Sequence, residues 1–192
     1  AKKTDDLKYG KTNNELNGVL AYKTSLPMKK EGSNYANFFS PNFMFRYAPG
    51  HMKNISSNSE SLNYLTLYSL NKTSEIEDGI SAVLGFDFKS KEKEGDKIIR
   101  ERLSLSLGQI FNYERNTDMP SKTSLDQKMS DVVGEFNYNF SSIGNLNYKF
   151  LVDHNLESLN YNEISTGLNF GRIGFNLSYL EENKHIGNEK YA

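Results

Sequence analysis

Three histidines, His51, His154 and His185, are the first side chains to weigh as metal ligands or general bases. None stands two or four positions from another, and no His-Glu-x-x-His run occurs, so no pair shares a strand or helix face as a local metal site would need. The absence of cysteine removes thiolate ligation and disulfides. Neither Gly-x-Ser-x-Gly nor a Gly-rich phosphate loop is present, so nucleophilic serine and nucleotide chemistry have no motif behind them. His51, Asp87 and several serines could be cast as a hydrolytic set on barrel strands, but their spacing selects none of them. The histidines read as solvated loop residues. No catalytic, metal or cofactor-binding residue is assigned.

Charged and conformationally special residues come next. Arg46 stands on the polar face of a run rich in aromatics, Phe43-Met44-Phe45-Arg46-Tyr47. On a lipid face a guanidinium would cost about 2–4 kcal/mol near the midplane, so Arg46 is expected to face a lumen or an interface and to pair structurally there. Lys91-Glu92-Lys93-Glu94-Gly95-Asp96-Lys97 reads as a solvated, charge-rich loop. Pro41 cannot donate to a ladder and is expected to mark a strand start or a bulge. Pro49-Gly50 is expected to end the same strand with a turn.

The elements that carry these residues are strands. Period-two alternation runs through Ile80–Phe88, Leu103–Tyr113, Phe136–Phe140, Leu146–Val152 and Ile173–Tyr179, with one face apolar or aromatic and the other rich in Ser, Asn, Gly or charge. Weaker runs cover Leu16–Thr24, Phe39–Tyr47 and Leu62–Leu70, the last apolar on both faces. Between Leu159/Tyr161 and Ile164/Leu168/Phe170 the apolar phase shifts by one, as a β-bulge would make it. About nine strands of about ten residues result, the length a tilted membrane-spanning strand needs.

Composition agrees. The chain has 192 residues and a net charge of −1, which argues against a nucleic-acid partner. Hydrophobic residues make up only 36%, yet there are 12 Tyr and 12 Phe. Polar-rich, aromatic-rich and alternating is the signature of a transmembrane β-barrel, in which one face of each strand meets lipid. Asn137, Asn139, Asn145, Asn147, Asn160, Asn162, Asn169 and Asn176 are disfavoured in ordinary strands but are solvated when they face a wet lumen. Tyr9, Tyr22, Tyr47, Tyr64, Tyr68, Tyr113, Tyr138, Tyr148, Tyr161 and Tyr179 either form interfacial girdles or are ordinary strand tyrosines, a question of register. Ser141–Gly144 and Gly171-Arg172 read as tight turns on one side of the sheet, and the long polar Asn116–Ser130 stretch falls on the other. Long loops on one side and short turns on the other suit an outer-membrane barrel, although the Lys91–Lys97 loop falls on the short-turn side. There is no domain boundary and no fixed-length repeat. The chain reads as an interior or C-terminal piece of one larger barrel domain.

Three segments carry a family resemblance. Phe39-Ser-Pro41-Asn-Phe-Met-Phe-Arg46-Tyr47-Ala-Pro49-Gly50-His-Met52, Arg102-Leu-Ser-Leu-Ser-Leu-Gly108-Gln109 and Ser124–Glu135, with its Ser-Asp131-x-x-Gly134-Glu135 ending, occur in the order found in the LptD family of lipopolysaccharide translocons, and the chain resembles that family. The resemblance implies an antiparallel outer-membrane barrel of large size that moves lipopolysaccharide to the outer leaflet and opens laterally to release it. It also implies an LptE-like lipoprotein plug in the lumen and a periplasmic lipopolysaccharide-bridge protein that docks on a jelly-roll domain outside this chain. No enzyme activity, cofactor or nucleic acid is implied. Pro41, Arg46, Tyr47, Pro49, Gly50, Gly108, Gln109, Asp131, Gly134 and Glu135 are carried over as structural family markers. A porin-like channel and a soluble glycan-binding β-sandwich are the other classes these residues allow.

The face assignment has a direct test. Leu105→Arg, on the apolar face, is expected to abolish membrane assembly, while Ser104→Arg is far better tolerated. Heat-modifiable migration of outer-membrane fractions reads the difference, and equal behaviour of the two variants would refute the assignment.

Overall fold

The computed structural model describes residues 17–58, 62–140, 143–183 and 188–191. Leu16, Tyr9, Ser141, Ser142 and His185 lie outside the described residues. The chain forms β1 (Leu20–Ser25), β2 (Met28–Glu31), β3 (Tyr35–Ala48), a one-turn helix α1 (Tyr64–Leu67), β4 (Gly79–Glu94), β5 (Lys97–Asn112), β6 (Val132–Asn139), β7 (Gly144–Val152), β8 (Leu159–Phe170), β9 (Ile173–Asn183) and β10 (Asn188–Tyr191). All pairings are antiparallel, in the order β1-β3-β4-β5-β6-β7-β8-β9-β10, with β2 continuing β1 along the edge of β3. The result is one continuous curtain whose two ends do not meet. A glycan-binding sandwich would need two packed sheets, so that alternative falls. No helix among the described residues is long and apolar enough to cross a membrane.

Register converts the alternation into two faces. Tyr47, Phe45, Phe43 and Phe39 lie opposite Ile80, Ala82, Leu84 and Phe88. Phe88 lies opposite Leu105, and Leu105 opposite Phe136. Phe136 then meets Tyr148, Tyr148 meets Ile164, and Ile164 meets Tyr179. Every residue on this line belongs to the apolar phase, and many are exposed, including Leu84, Phe175 and Leu177. In a monomer in water such a band would be an aggregation surface; against lipid it is the solvent-matched face. Ser104 stands on the opposite face, across from Lys89 and Asn137. Asn137, Asn139, Asn145, Asn147, Asn169 and Asn176 share that inner phase, as the solvation argument expected. Asn162 departs from it, lying across from Phe150 on the outer phase, and Asn160 is a buried bulge residue. Among the tyrosines, Tyr22 and Tyr47 mark the outer face at one end and Tyr138 marks it at the other, while Tyr161 points inward with Glu163.

Four local expectations change. The Lys91–Lys97 run is strand, not loop: β4 runs through Glu94, β5 starts at Lys97, and only Gly95, at φ +61°, and Asp96 make the turn. Cross-strand pairing stabilises this extension, with Arg100 Nε and Nη2 both 2.6 Å from Glu92 Oε2 and Lys89 facing Glu101 at 3.8 Å. The correction also removes the anomaly on the short-turn side, because all the tight turns now fall there. Leu62–Leu70 is not a strand. Asn63 caps α1 with a reciprocal capping box to Thr66, which fixes a helical turn where apolar residues on both faces gave no register.

Pro41 sits in the middle of β3 and not at its start. The irregularity it demands is borne by its neighbour, where β1 breaks into β2 at Leu26-Pro27 and the Leu26 N–H bonds to the Pro41 carbonyl at 3.1 Å. The phase shift near Tyr161 is a bulge one residue earlier, since Leu151 pairs with Tyr161 but Val152 with Leu159, leaving Asn160 as the extra residue. The strand end at Ala48 and the bend at Gly50, with φ +126°, agree with the reading of Pro49-Gly50.

Gly134 lies outward beneath the Phe150 ring, which occupies the volume a Cβ would need. Gly134→Ala is therefore expected to destabilise the sheet by about 1–3 kcal/mol. Phe150→Leu in the same chain should recover most of that loss, which denaturant titration in micelles would measure.

Candidate functional site

The inner face is the surface that a transported molecule or plug would meet, and it is divided. Over β3, β4 and β5 it is covered by two long connections, residues 49–78 and 113–131, which turn inward. They bury Met52, Ile55, Leu62, Leu67, Met119 and Leu125 against Met44, Val83 and Ile110 of the strands and Val133 and Leu151 beyond them. The inner phase of β3–β5 is thus partly apolar, where a uniformly polar lumen was expected.

Arg46 organises the first connection. It is 1% exposed, faces inward, and uses its fork on three acceptors. Nε donates to the Leu70 carbonyl, and Nη2 donates to Asn71 Oδ1 at 3.0 Å and to the Glu77 carbonyl at 2.5 Å. Glu77 in turn accepts the backbone N–H groups of Lys72 and Thr73. Burial pushes the Lys72 ammonium down to about 8 while Glu77 opposes the shift, and its Nζ donates to the Ser69 carbonyl at 3.1 Å. The expected structural pairing of Arg46 is thus mainly with carbonyls. Residues 70–77 form a cup around one guanidinium, which Lys could not fill because it lacks the planar fork.

Small residues let the helix approach. Gly85 and Gly108 face each other on β4 and β5. A Cβ on Gly108 would stand 2.8 Å from Leu67 Cδ1, and one on Gly85 would strike the Tyr68 hydroxyl and the Leu107 carbonyl. Tyr64 Oη reaches the Phe86 carbonyl at 3.4 Å, and burial raises the phenol pKa of both Tyr64 and Tyr68. Beside this contact Asp87 accepts from Asn42 at 2.7 Å and Ser106 at 2.6 Å, so the carboxylate considered for hydrolysis is a strut between three strands. His51 lies in the connection after β3.

The second connection is latched at its base. Gln109 Nε2 donates to the Ser130 carbonyl at 2.8 Å, and Asn112 Nδ2 to the carbonyls of Leu125 and Gln127. The two connections bond to each other, through Asn116 Nδ2 to Asp78 Oδ1 at 2.7 Å and the Ile55 N–H to the Asp118 carbonyl at 2.8 Å. Asp131 is fully buried, accepts from Ser124 Oγ and Asn160 Nδ2 at 2.7 Å each, and has its carboxyl pKa raised by burial. Ser124, held at φ +56°, also lies 3.2 Å from His154 Nδ1. This Ser, His, Asp and Asn group could not be found from spacing, because its members come from separate connections that strand pairing brings together.

From β6 to β9, beyond Val133 and Leu151, the inner face is mostly polar. Glu135 accepts from Asn137 and Asn147 at 3.4 Å, Lys149 pairs with Glu163 at 3.4 Å, and Tyr161 donates to Glu163 at 2.5 Å. A cavity of about 470 Å³ lies where the two halves meet, lined by Leu62, Tyr64 and Leu65 on one side and Glu135, Lys149, Tyr161 and Glu182 on the other. Of the motif residues, Arg46, Gly108, Gln109 and Asp131 hold the inward connections. Pro41, Tyr47 and Gly134 belong to the outer face, Pro49-Gly50 end a strand, and Glu135 faces the open part of the lumen.

Arg46→Lys is expected to loosen residues 70–77, since a single Nζ cannot stand at both the Nε and the Nη2 positions and a buried acceptor is left unpaired at about 1–3 kcal/mol. Amide hydrogen exchange should rise at Lys72, Thr73 and Glu77 while the β4–β5 ladder stays protected. Unchanged exchange at these amides would show that the clamp does not hold them.

No curated protein matches the chain. The family model described as LptD, LPS transport system D, matches residues 1–191. That match spans nearly the whole sequence and agrees with a wholly antiparallel sheet whose outer face is made for lipid. The chain belongs to the LptD family, outer-membrane β-barrel proteins of lipopolysaccharide transport and assembly.

Proposed function

We propose that residues 1–192 are one arc of a single translocon barrel, an interior or C-terminal part of it, and that this arc helps deliver lipopolysaccharide into the outer leaflet. The observation that carries the reading is the division of the inner face. Half of it is filled by the chain's own connections, pinned by Arg46. The other half, β6 to β9, presents mostly Asn, Ser, Lys and Glu side chains that are only partly buried, beyond the Val133 and Leu151 that the connections cover. An LptE-like lipoprotein plug fits that uncovered arc, beside a path for the hydrophilic part of the glycolipid. The periplasmic bridge protein acts on a domain outside these residues. The arc's role is passive: it holds the membrane, shapes the lumen and makes or breaks no covalent bond. Arg46, Gly108, Gln109 and Asp131 keep the inward connections folded.

A porin-like channel is the second reading, because an inward-folded connection is what a channel constriction uses. Its charges tell against it here, since Arg46, Lys72 and Glu77 are buried and bonded to the connection itself.

Photo-crosslinking residues placed at Asn147, Ser165 or Asn176 of the full-length protein in cells are expected to capture the lipoprotein plug or lipopolysaccharide. The same group at Leu177, on the lipid face, should capture no plug. Capture of neither molecule at any inner position, together with steady ion conductance in planar bilayers, would replace the translocon arc with the channel.

A further inference from the structure

The β6–β7 ladder ends with Val132 opposite Val152 at the end of the sheet where the long connections lie. The residues just past that pair are Asp131 on one side and Asp153-His154 on the other, so strand register alone brings them face to face. One ligand atom from each of the three lies within 4.8 Å of the others. Asp131 is fully buried, and the side chains of Asp153 and His154 are 13% and 27% exposed. Two enclosed carboxylates side by side repel, and a cation between them would relieve that repulsion.

We propose that Asp131, Asp153 and His154 form a divalent metal site that staples the 113–131 connection to the 153–158 turn. Mixed oxygen and nitrogen donors suit Zn²⁺ or Mn²⁺ better than Ca²⁺ or Mg²⁺, which favour all-oxygen shells. Metal bonds of about 2.0–2.2 Å need only a small contraction of this group. The outer support is in place. Asn160 Nδ2 and Ser124 Oγ each donate to Asp131 at 2.7 Å, orienting the carboxylate as partners behind a metal ligand do. His154 Nδ1 lies 3.3 Å from Asp153 Oδ1 and 3.2 Å from Ser124 Oγ, so the ring nitrogen nearest the carboxylates is within reach of the same ion. A buried polar group beside Asp131 is also left without a partner. Thr123, whose carbonyl accepts the Asp131 N–H at 3.2 Å, is wholly buried, and its hydroxyl has no partner among the described residues.

The test uses the full-length protein purified with its barrel partner in detergent and stripped with a chelator. Zn²⁺ is titrated by calorimetry, and Mn²⁺ by loss of its free-ion paramagnetic resonance signal. One ion per chain is expected, with a Kd below about 100 μM. His154→Ala and Asp153→Asn, both partly exposed and suited to a folded protein, should each weaken binding at least about tenfold. Wild-type protein that takes up neither ion, wild-type affinity in His154→Ala, or uptake of Ca²⁺ in preference to both would overturn the site. If Asp131→Asn fails to assemble, the other two variants still decide the matter.

Discussion

In hydrocarbon no water is available to satisfy a backbone amide or carbonyl, and each one left unpaired costs several kcal/mol. The rest of this structure follows from that constraint. Each strand from β3 to β9 has a partner on both sides, and the connections between them are tight turns at one end and, at the other, the long 49–78 and 113–131 segments and the 153–158 turn. Where the ladder must break, the break is placed with care. Pro41 and Pro27 fall at one level of neighbouring strands, and the Leu26 N–H bonds across the gap to the Pro41 carbonyl, so a single interruption serves both prolines. The bulge at Asn160 likewise gives its extra residue a job, because the Asn160 amide supports buried Asp131.

A ladder fixed in register also fixes which face meets lipid, and the inner face is then free to vary. This chain uses that freedom in two ways. Over β3–β5 the inner positions include Met44, Val83, Ile110 and the facing pair Gly85 and Gly108, a surface built to receive a packed segment. Over β6–β9, beyond Val133 and Leu151, they are mostly Asn, Ser, Lys and Glu. The border between the two is a cavity whose strand wall mixes Val133, Leu151 and Leu180 with Glu135, Lys149 and Glu182.

The inward connections are packed through their apolar side chains and positioned by polar clamps. Arg46 spends its guanidinium on carbonyls of its own connection, Gln109 and Asn112 hold carbonyls of the second, and Asn116 ties the two together. Such bonds are directional, so they set one position for each segment where apolar contacts alone would allow several. At the opposite end, charge does a related task. The Glu92–Arg100 pair extends β4 and β5 past the apolar band, and Arg102 lies against Tyr138 with its guanidinium carbon 5.2 Å from the ring. Aromatic and cationic side chains together at this level mark a membrane interface.

The sequence alone determined the parts that depend on period two. The strands Ile80–Phe88, Leu103–Phe111 and Ile173–Tyr179, the lipid-facing phase, the inward Arg46 and the family were all legible, because lipid on one face and water on the other impress themselves on every second residue. Tertiary structure alone decided what depends on contacts between distant segments. Lys91–Lys97 looked like a loop because its charges are paired only across strands. Leu62–Leu70 looked like a strand because the cap on Asn63 is a local signal hidden in an apolar run. Asp131, Asp153 and His154 looked unrelated because 22 positions of sequence separate what a single rung of the ladder, Val132 opposite Val152, brings together. Alternation reports the environment of each residue and is silent about its partner, and partners are what the connections and their clamps are made of.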